Sequence, residues 1–224
     1  MKKLLLSILS VLCVLSVSAT SFKLVESASQ LEAGKKYIIV ATEYDYAMST
    51  EQKDKNRGQD KITKNGEIIS ISSGMTSQDF VQVFTLEVGT KTDTWAFFTG
   101  EKYLYAASSS SDNLKSTATK SDNASATIEI DGTTGVATII FQGSNTRNKL
   151  QYNQSSSLFS CYATDKPLKD VSLYKEVDTA TGVDEIAAEN APVEYYNLLG
   201  VKVANPEKGI FIKKQGNKAT KVIL

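Results

Sequence analysis

The chain has 224 residues, 25 Lys and Arg against 25 Asp and Glu, two Cys, three Pro and no His. Without imidazole there is no Ser-His-Asp or Cys-His nucleophile, no HExxH zinc site and no side chain whose ordinary pKa lies near neutrality. An enzyme of this composition would need a carboxylate pair, a Lys-activated hydroxyl or an oxygen-ligated metal. The sequence shows no Gly-rich phosphate loop, EF-hand spacing or Cys cluster, and no cofactor is expected.

At the start, Lys2 and Lys3 precede an apolar run from Leu4 to Val17, followed by the small residues Ser18 and Ala19. Residues 1–19 read as a cleaved secretory signal, because the run falls short of the roughly 20 apolar residues that span a bilayer and carries Ser7, Ser10 and Ser16. The expected location is therefore outside the cell or on its outer surface, reached through the periplasm, with no transmembrane segment after cleavage. Cleavage leaves 23 basic against 25 acidic side chains, a balance unsuited to binding nucleic acid. It also leaves one cysteine, Cys161, expected as a small buried residue of the strand Leu158–Tyr162.

Residues 20–177 are dense in Thr, Val, Ile, Tyr and Phe, punctuated by Gly, Asn, Asp and Ser, and show no helical period. The expectation is an all-β domain with one core, large enough to need no disulfide. Phe84-Thr85-Leu86-Glu87-Val88 recurs as Ala126-Thr127-Ile128-Glu129-Ile130 and as Val171-Ser172-Leu173-Tyr174-Lys175, 42 and then 45 residues apart. A second strand-like segment precedes each copy: Lys36–Ala41, Lys102–Ala106 and Lys149–Asn153. The first copy is longer, and its excess coincides with the polar stretch 49–78, expected as a surface insertion. Three units of about four short strands predict a β-trefoil-like barrel, with a β-sandwich or an OB-like barrel as alternatives. Phe84, Leu86, Leu104, Ile128, Ile130, Leu150 and Leu173 are the candidate core, and Trp95 is expected with them.

Gly34-Lys35-Lys36-Tyr37-Ile38-Ile39 and Gln82-Val83-Phe84-Thr85-Leu86 resemble the G-x-Y-x-I and Q-x-W-x-L signatures of ricin-type and fascin-like trefoils, with Phe for Trp. Ala124-Ser125-Ala126 and Lys169-Asp170-Val171 stand at the corresponding positions of the later units. The segments Lys102–Ser111 and Phe141–Cys161 are similar to secreted domains of gut Bacteroidetes, which implies export without implying an activity.

Loops on a rigid barrel are the natural place for a ligand. Tyr44, Asp45 and Tyr46 after the first strand, Asp112 and Asn113 in a serine-rich loop, and Asn153 with Phe159 and Tyr162 each combine a carboxylate or amide with hydroxyls or an aromatic ring. That combination suits sugars, whose C–H faces stack on rings and whose hydroxyls take paired hydrogen bonds. Ser, Asp and Asn at these places also serve simply to make turns.

Residues 178–192 carry no aromatic side chain and no alternation and read as a linker, and 193–224 as a small C-terminal β domain of three strands. Tyr196-Asn197-Leu198-Leu199-Gly200-Val201-Lys202-Val203, Lys208-Gly209-Ile210-Phe211-Ile212 and Lys221-Val222-Ile223 resemble a short type A sorting domain of the Bacteroidetes type IX secretion system. The resemblance implies secretion machinery as a partner of the tail. Together these readings predict a non-catalytic, exported module that binds a glycan or another extracellular ligand. The alternatives are an envelope adhesion or inhibitor protein with a protein partner, and a His-free glycoside hydrolase using paired carboxylates.

Overall fold

Short strands with an apolar side chain at every second position hide that face only by pairing around a common core. The computed structural model describes residues 19–72, 81–177, 193–197, 200–204, 206, 208–215 and 218–223. The expected linker 178–192 lies outside the described residues, as does the expected signal apart from Ala19, the first residue of a strand.

The strands of the main domain are β1 (Ala19–Leu24), β2 (Lys36–Ala41), β3 (Tyr46–Lys53), β4 (Asn56–Lys61), β5 (Lys64–Asn65), β6 (Ile68–Ser72), β7 (Phe84–Val88) and β8 (Trp95–Phe98). They continue with β9 (Tyr103–Ala106), β10 (Leu114–Thr117), β11 (Ala126–Ile130), β12 (Val136–Phe141), β13 (Lys149–Asn153), β14 (Leu158–Tyr162) and β15 (Val171–Val177). Antiparallel pairing runs β2–β7–β8–β11–β12–β15 and returns to β2, which closes a six-stranded barrel. The hairpins β3–β4, β9–β10 and β13–β14 cap it. Six barrel strands and three cap hairpins, in three successive units of four strands, make a β-trefoil.

The register exposes the internal repeat. Leu86 faces Phe97, Ile128 faces Ile139 and Leu173 faces Ile39 at the same step of each junction, and all six side chains are buried. The segments recurring 42 and 45 residues apart are thus the fourth strand of each unit. The second recurrence is corrected: Lys36–Ala41 is a barrel strand, whereas Lys102–Ala106 and Lys149–Asn153 open cap hairpins. Barrel and cap strands both bury alternate side chains, so a short Tyr/Leu pattern does not tell them apart. Of the polar stretch 49–78, residues 49–61 belong to the first cap hairpin, and the described remainder carries β5 and β6.

These two strands and β1 lie outside the repeat. β1 pairs with both β15 and β6, and this added layer covers the outer face of β2. Tyr37, Ile39 and Ala41 therefore point into the barrel core, while Ile38 and Val40 pack outward against Phe22, Ile69 and Tyr174. A strand buried on both faces loses the polar half of its alternation, which accounts for the unbroken run Tyr37-Ile38-Ile39-Val40-Ala41. Trp95 is half-buried against the barrel core, and Cys161 lies fully within it, where burial pushes its thiol pKa well up.

The β11–β12 turn shows how local chemistry sets the path. Asp131 Oδ1 accepts the N–H groups of Thr133 at 2.8 Å and Thr134 at 3.0 Å. Gly135 then takes a φ of +69°, which favours glycine, and a Cβ there would lie 2.8 Å from Leu24 Cδ2, so that side chain would have to move.

The C-terminal residues form a separate antiparallel sheet of β16 (Val193–Tyr196), β17 (Lys202–Val203), β18 (Ile210–Gln215) and β19 (Lys218–Ile223), in the order β17-β16-β18-β19. Four strands replace the expected three because a turn splits Val193–Val203, with Asn197 N–H donating to Val201 O at 2.9 Å and Gly200 at a φ of +80°. None of the described residues of this sheet is buried. No helix among the described residues is long and apolar enough to cross a membrane.

Candidate functional site

The trefoil repeats one junction three times: the turn between the first and second strands of one unit lies beside the cap hairpin of the unit before it. Where the third unit meets the first, residues 42–45 lie against the tip that joins β13 to β14. Tyr44 Oη donates to Gln154 Oε1 at 2.7 Å, and its ring lies 5.5 Å from that of Tyr152. Lys169 Nζ sits 5.7 Å over the Tyr44 ring and 3.4 Å from Glu43, and the Tyr44 hydroxyl and Glu43 carboxylate hold its pKa above the ordinary lysine value. Tyr46 stacks on Tyr152 at 6.3 Å, and Tyr152 in turn packs on Phe159 at 5.0 Å.

Where the second unit meets the third, the tip joining β9 to β10 meets the turn 142–148. Asp112 accepts from Arg147 through Oδ1 and from Lys166 Nζ through Oδ2, the latter at 3.0 Å. Asn145 Nδ2 donates to Ala106 O at 2.8 Å, and Ser109 Oγ donates to Asn145 Oδ1 at 3.2 Å. Lys166 also lies 5.0 Å over the Tyr162 ring, whose hydroxyl accepts from Asn153 Nδ2 at 3.0 Å. Burial, before any other influence, raises the pKa of Tyr162.

The residues expected to bind a ligand are thus placed as follows. Tyr44 and Tyr46 share one junction with Phe159, and Asp112 is linked to Asn153 through Lys166 and Tyr162. Asp45 is exposed, and its charge acts on Lys64, whose ammonium donates to Ala41 O and Thr42 O at 3.1 and 2.9 Å. Asn113 is half-buried and its Oδ1 has no partner. Phe159 and Tyr162 lie inside the domain. Phe159 is fully buried and Tyr162 is 3% exposed; three residues apart, they lie on opposite faces of β14, a strand buried on both faces from Phe159 onward, so neither offers a ring face to a ligand.

The third junction, where the first unit meets the second, is different. The hairpin β3–β4 and the turn Thr99–Lys102 stand apart, and a cleft of about 510 Å³ lies between them. The hydrogen bonds that close the other two junctions have no counterpart here among the described residues. Thr50, Gln52 and Arg57 form one wall, Thr99, Glu101 and Lys102 another, and Lys115 and Ser116 of β10 and Gln82 complete it. Gln52 spends both amide hydrogens on Asn56 O and Leu114 O, at 2.8 and 3.2 Å, which leaves its Oε1 to accept.

Arg57, which composition did not single out, is the unusual member. It is 4% exposed, and its Nη2 donates to Ser49 O and Gln82 Oε1, both at 2.9 Å. Its Nη1 reaches Ser116 Oγ only at 3.4 Å, and Nε has no partner. Burial lowers its pKa, with no carboxylate working in the opposite direction. The available signal was scarcity: Arg57 and Arg147 are the chain's two arginines, and each stands at a junction between units.

A larger groove of about 680 Å³ runs along β1 and the ends of β2 and β15. Most of its charges are already paired, Lys175 with Glu32 at 2.6 Å and Lys36 with Glu176 at 3.4 Å, so it offers a ligand less than the cleft does. Among the described residues no cluster of three His, Cys, Asp or Glu side chains that could hold a metal ion occurs.

No protein-family model and no curated protein matches the chain. Among solved structures it is similar to one described as SeviL bound to asialo-GM1 saccharide, at 13% identity and a TM-score of 0.44, over 63% of this chain and 97% of that one. It is also similar to a BEL beta-trefoil, at 15% identity and a TM-score of 0.44, over 66% of this chain and 96% of that one. A third similarity is to a GH43 beta-1,3-galactosidase, at 12% identity and a TM-score of 0.47, covering 72% of this chain and 30% of that chain. The trefoil assignment itself rests on the closed barrel and its three caps.

Proposed function

We propose that the protein is an exported, non-catalytic module that binds a glycan in the cleft between the first and second trefoil units. The observation that carries this reading is the open third junction. On a scaffold whose other two junctions are sealed by Tyr44–Gln154 and Asp112–Arg147, it presents hydroxyl, amide and cationic groups around an open cleft. Thr50, Thr99 and Ser116 supply hydroxyls and Gln52 an amide oxygen, the donor and acceptor mixture that sugar hydroxyls take up. The cleft is lined by one carboxylate, Glu101, whereas glycoside hydrolysis uses two facing each other across about 5–10 Å.

Export is supported by the charged and apolar segment at residues 2–17 and by the sorting-like tail, whose sheet buries none of its described residues and exposes Val193, Val201, Ile210 and Ile223. A sheet with no core of its own suits capture by secretion machinery, and deleting 193–224 is expected to trap the chain inside the cell. The binding reading is tested on a broad glycan array with the purified protein. A specific ligand is expected, and its signal should fall at least tenfold in Gln52→Ala combined with Thr99→Ala, because each buried sugar hydrogen bond lost costs severalfold in affinity. Binding unaffected by this pair would remove the cleft as the site.

A further inference from the structure

We propose that this cleft selects saccharides bearing a carboxylate, such as a uronic or sialic-type acid, and that Arg57 is the residue that sets the selectivity. The inference rests on the glycan-binding reading and goes beyond it by naming the ligand's charge. A buried guanidinium is ordinarily matched by a carboxylate, because desolvating the cation without a counter-charge is costly. Arg57 is 4% exposed, yet its partners are a backbone carbonyl, an amide oxygen and a distant hydroxyl, all neutral. Of its five donors, Nη2 uses two at 2.9 Å, Nη1 holds only the 3.4 Å contact to Ser116 Oγ, and Nε holds none. Among the described residues the guanidinium is therefore fixed chiefly through one nitrogen, with no carboxylate against it.

The surroundings point the same way. Arg57, Lys102 and Lys115 line the cleft against Glu101, and neither lysine is in an ion pair among the described residues. The second arginine shows what the same junction does when a carboxylate is at hand, because Arg147 there is bound to Asp112. Among the described residues no carboxylate pairs with Arg57, Glu101 being the one that lines the cleft, and a ligand carboxylate against Nη1, Ser116 Oγ and the Lys115 ammonium would supply the missing charge. Two or three converging donors fit the two oxygens of a carboxylate. The sugar ring would then extend toward Thr50, Gln52 and Thr99.

The test is calorimetric titration of the purified protein with matched oligosaccharides that are neutral, carboxylated or sulfated but otherwise identical. The carboxylated form should bind about tenfold or more tightly than the neutral one, with an advantage that shrinks as NaCl is raised. Arg57→Gln should abolish the advantage, and Arg57→Lys should retain part of it. Arg57 also ties the first cap hairpin to Gln82 and Ser116, so each variant is melted alongside. If Arg57→Gln does not fold, Lys115→Glu at the rim, which leaves those ties intact, should reduce the advantage severalfold and decides the matter. Equal affinity for neutral and carboxylated forms, or preference for the sulfated form, would overturn the inference while leaving the glycan-binding reading standing. Failure of every saccharide to bind would remove both.

Discussion

Asp112 is a candidate ligand residue in the sequence and an ion-pair anchor in the structure, so its replacement is the most informative single substitution. As a ligand group it should be dispensable for folding. As the anchor shared by Arg147 and Lys166 it should contribute stability and nothing to binding in the cleft. The side chains of Asp112, Arg147 and Lys166 are 27%, 31% and 44% exposed, so neither pair is fully desolvated. Exposed ion pairs contribute roughly 0.2–1 kcal/mol each. Two pairs on one half-buried carboxylate, whose loss also leaves two cations adjacent, bring the cost of Asp112→Ala to about 1–2 kcal/mol. For a domain of this size that corresponds to a fall in Tm of roughly 3–6 °C. Because the screening length shortens from about 10 Å at 0.1 M salt to about 3 Å at 1 M, the deficit should shrink at high salt. Thermal melts of wild type, Asp112→Asn and Asp112→Ala at both salt concentrations measure this, and glycan titration provides the second reading. Unchanged Tm with lost binding would refute the argument and return Asp112 to the ligand site.

Three further outcomes follow from the geometry. Gly135→Ala should cost about 2–3 kcal/mol, because it forces a left-handed backbone and drives a Cβ to 2.8 Å from Leu24, whereas Gly66→Ala, at a φ of +60° with nothing within 4 Å, should cost about 1 kcal/mol; equal losses in denaturant melts would discard the clash. Cys161, in protein beginning at residue 20, should resist alkylation until the chain is unfolded, since it is fully buried and its thiol pKa is pushed up; fast labelling of folded protein would contradict the core placement. The N–H groups of Thr133 and Thr134 hold the Asp131 carboxyl below its usual range, so its contribution is complete above the ordinary carboxylate pKa and is lost as pH falls through the lowered one. The Tm gap between wild type and Asp131→Asn should therefore be flat from neutral pH to about 5 and close below about 4, and a gap that widened with acid would reverse the assignment.

What the sequence made legible was set by repetition and by burial. Thr85, Thr127 and Ser172 could be aligned because each precedes a large apolar residue, Leu86, Ile128 or Leu173, that must fill the same layer of the barrel. The strand Leu158–Tyr162 was bounded correctly for a similar reason, since its alternation meets a left-handed Ser157 at one end. The first barrel strands of the second and third units were not recognised. Trp95–Phe98 is four residues long, and neither it nor Val136–Phe141 repeats the side chains of Lys36–Ala41, whose outward apolar residues answer to a layer the other units lack. The polar loops were found, but which of their groups are free is a question of partners tens of residues away. Gln154 lies 110 positions from Tyr44, and Arg147 lies 35 from Asp112.

That dependence on distant partners is also why a threefold scaffold can carry a single cleft. The backbone offers the same junction three times, so the difference between a seal and a site lies in side-chain chemistry alone. Tyr44 finds Gln154 within hydrogen-bonding reach, and Asp112 finds two cations. Both junctions thereby pair groups across the seam, and a ligand there would have to displace contacts already made. At the third, the hairpin contributes the cation Arg57, and Glu101, Lys102 and Lys115 line the cleft with it. The cations outnumber the single carboxylate Glu101 in the cleft, and a group of opposite charge placed among them would be favoured. Placing an acid there, as Ser116→Asp would, should therefore do from within what the ligand does from without: raise stability by about 1 kcal/mol of added ion pairing, read as a higher Tm, while abolishing glycan binding. A variant that gained stability and still bound would mean that the glycan sits elsewhere.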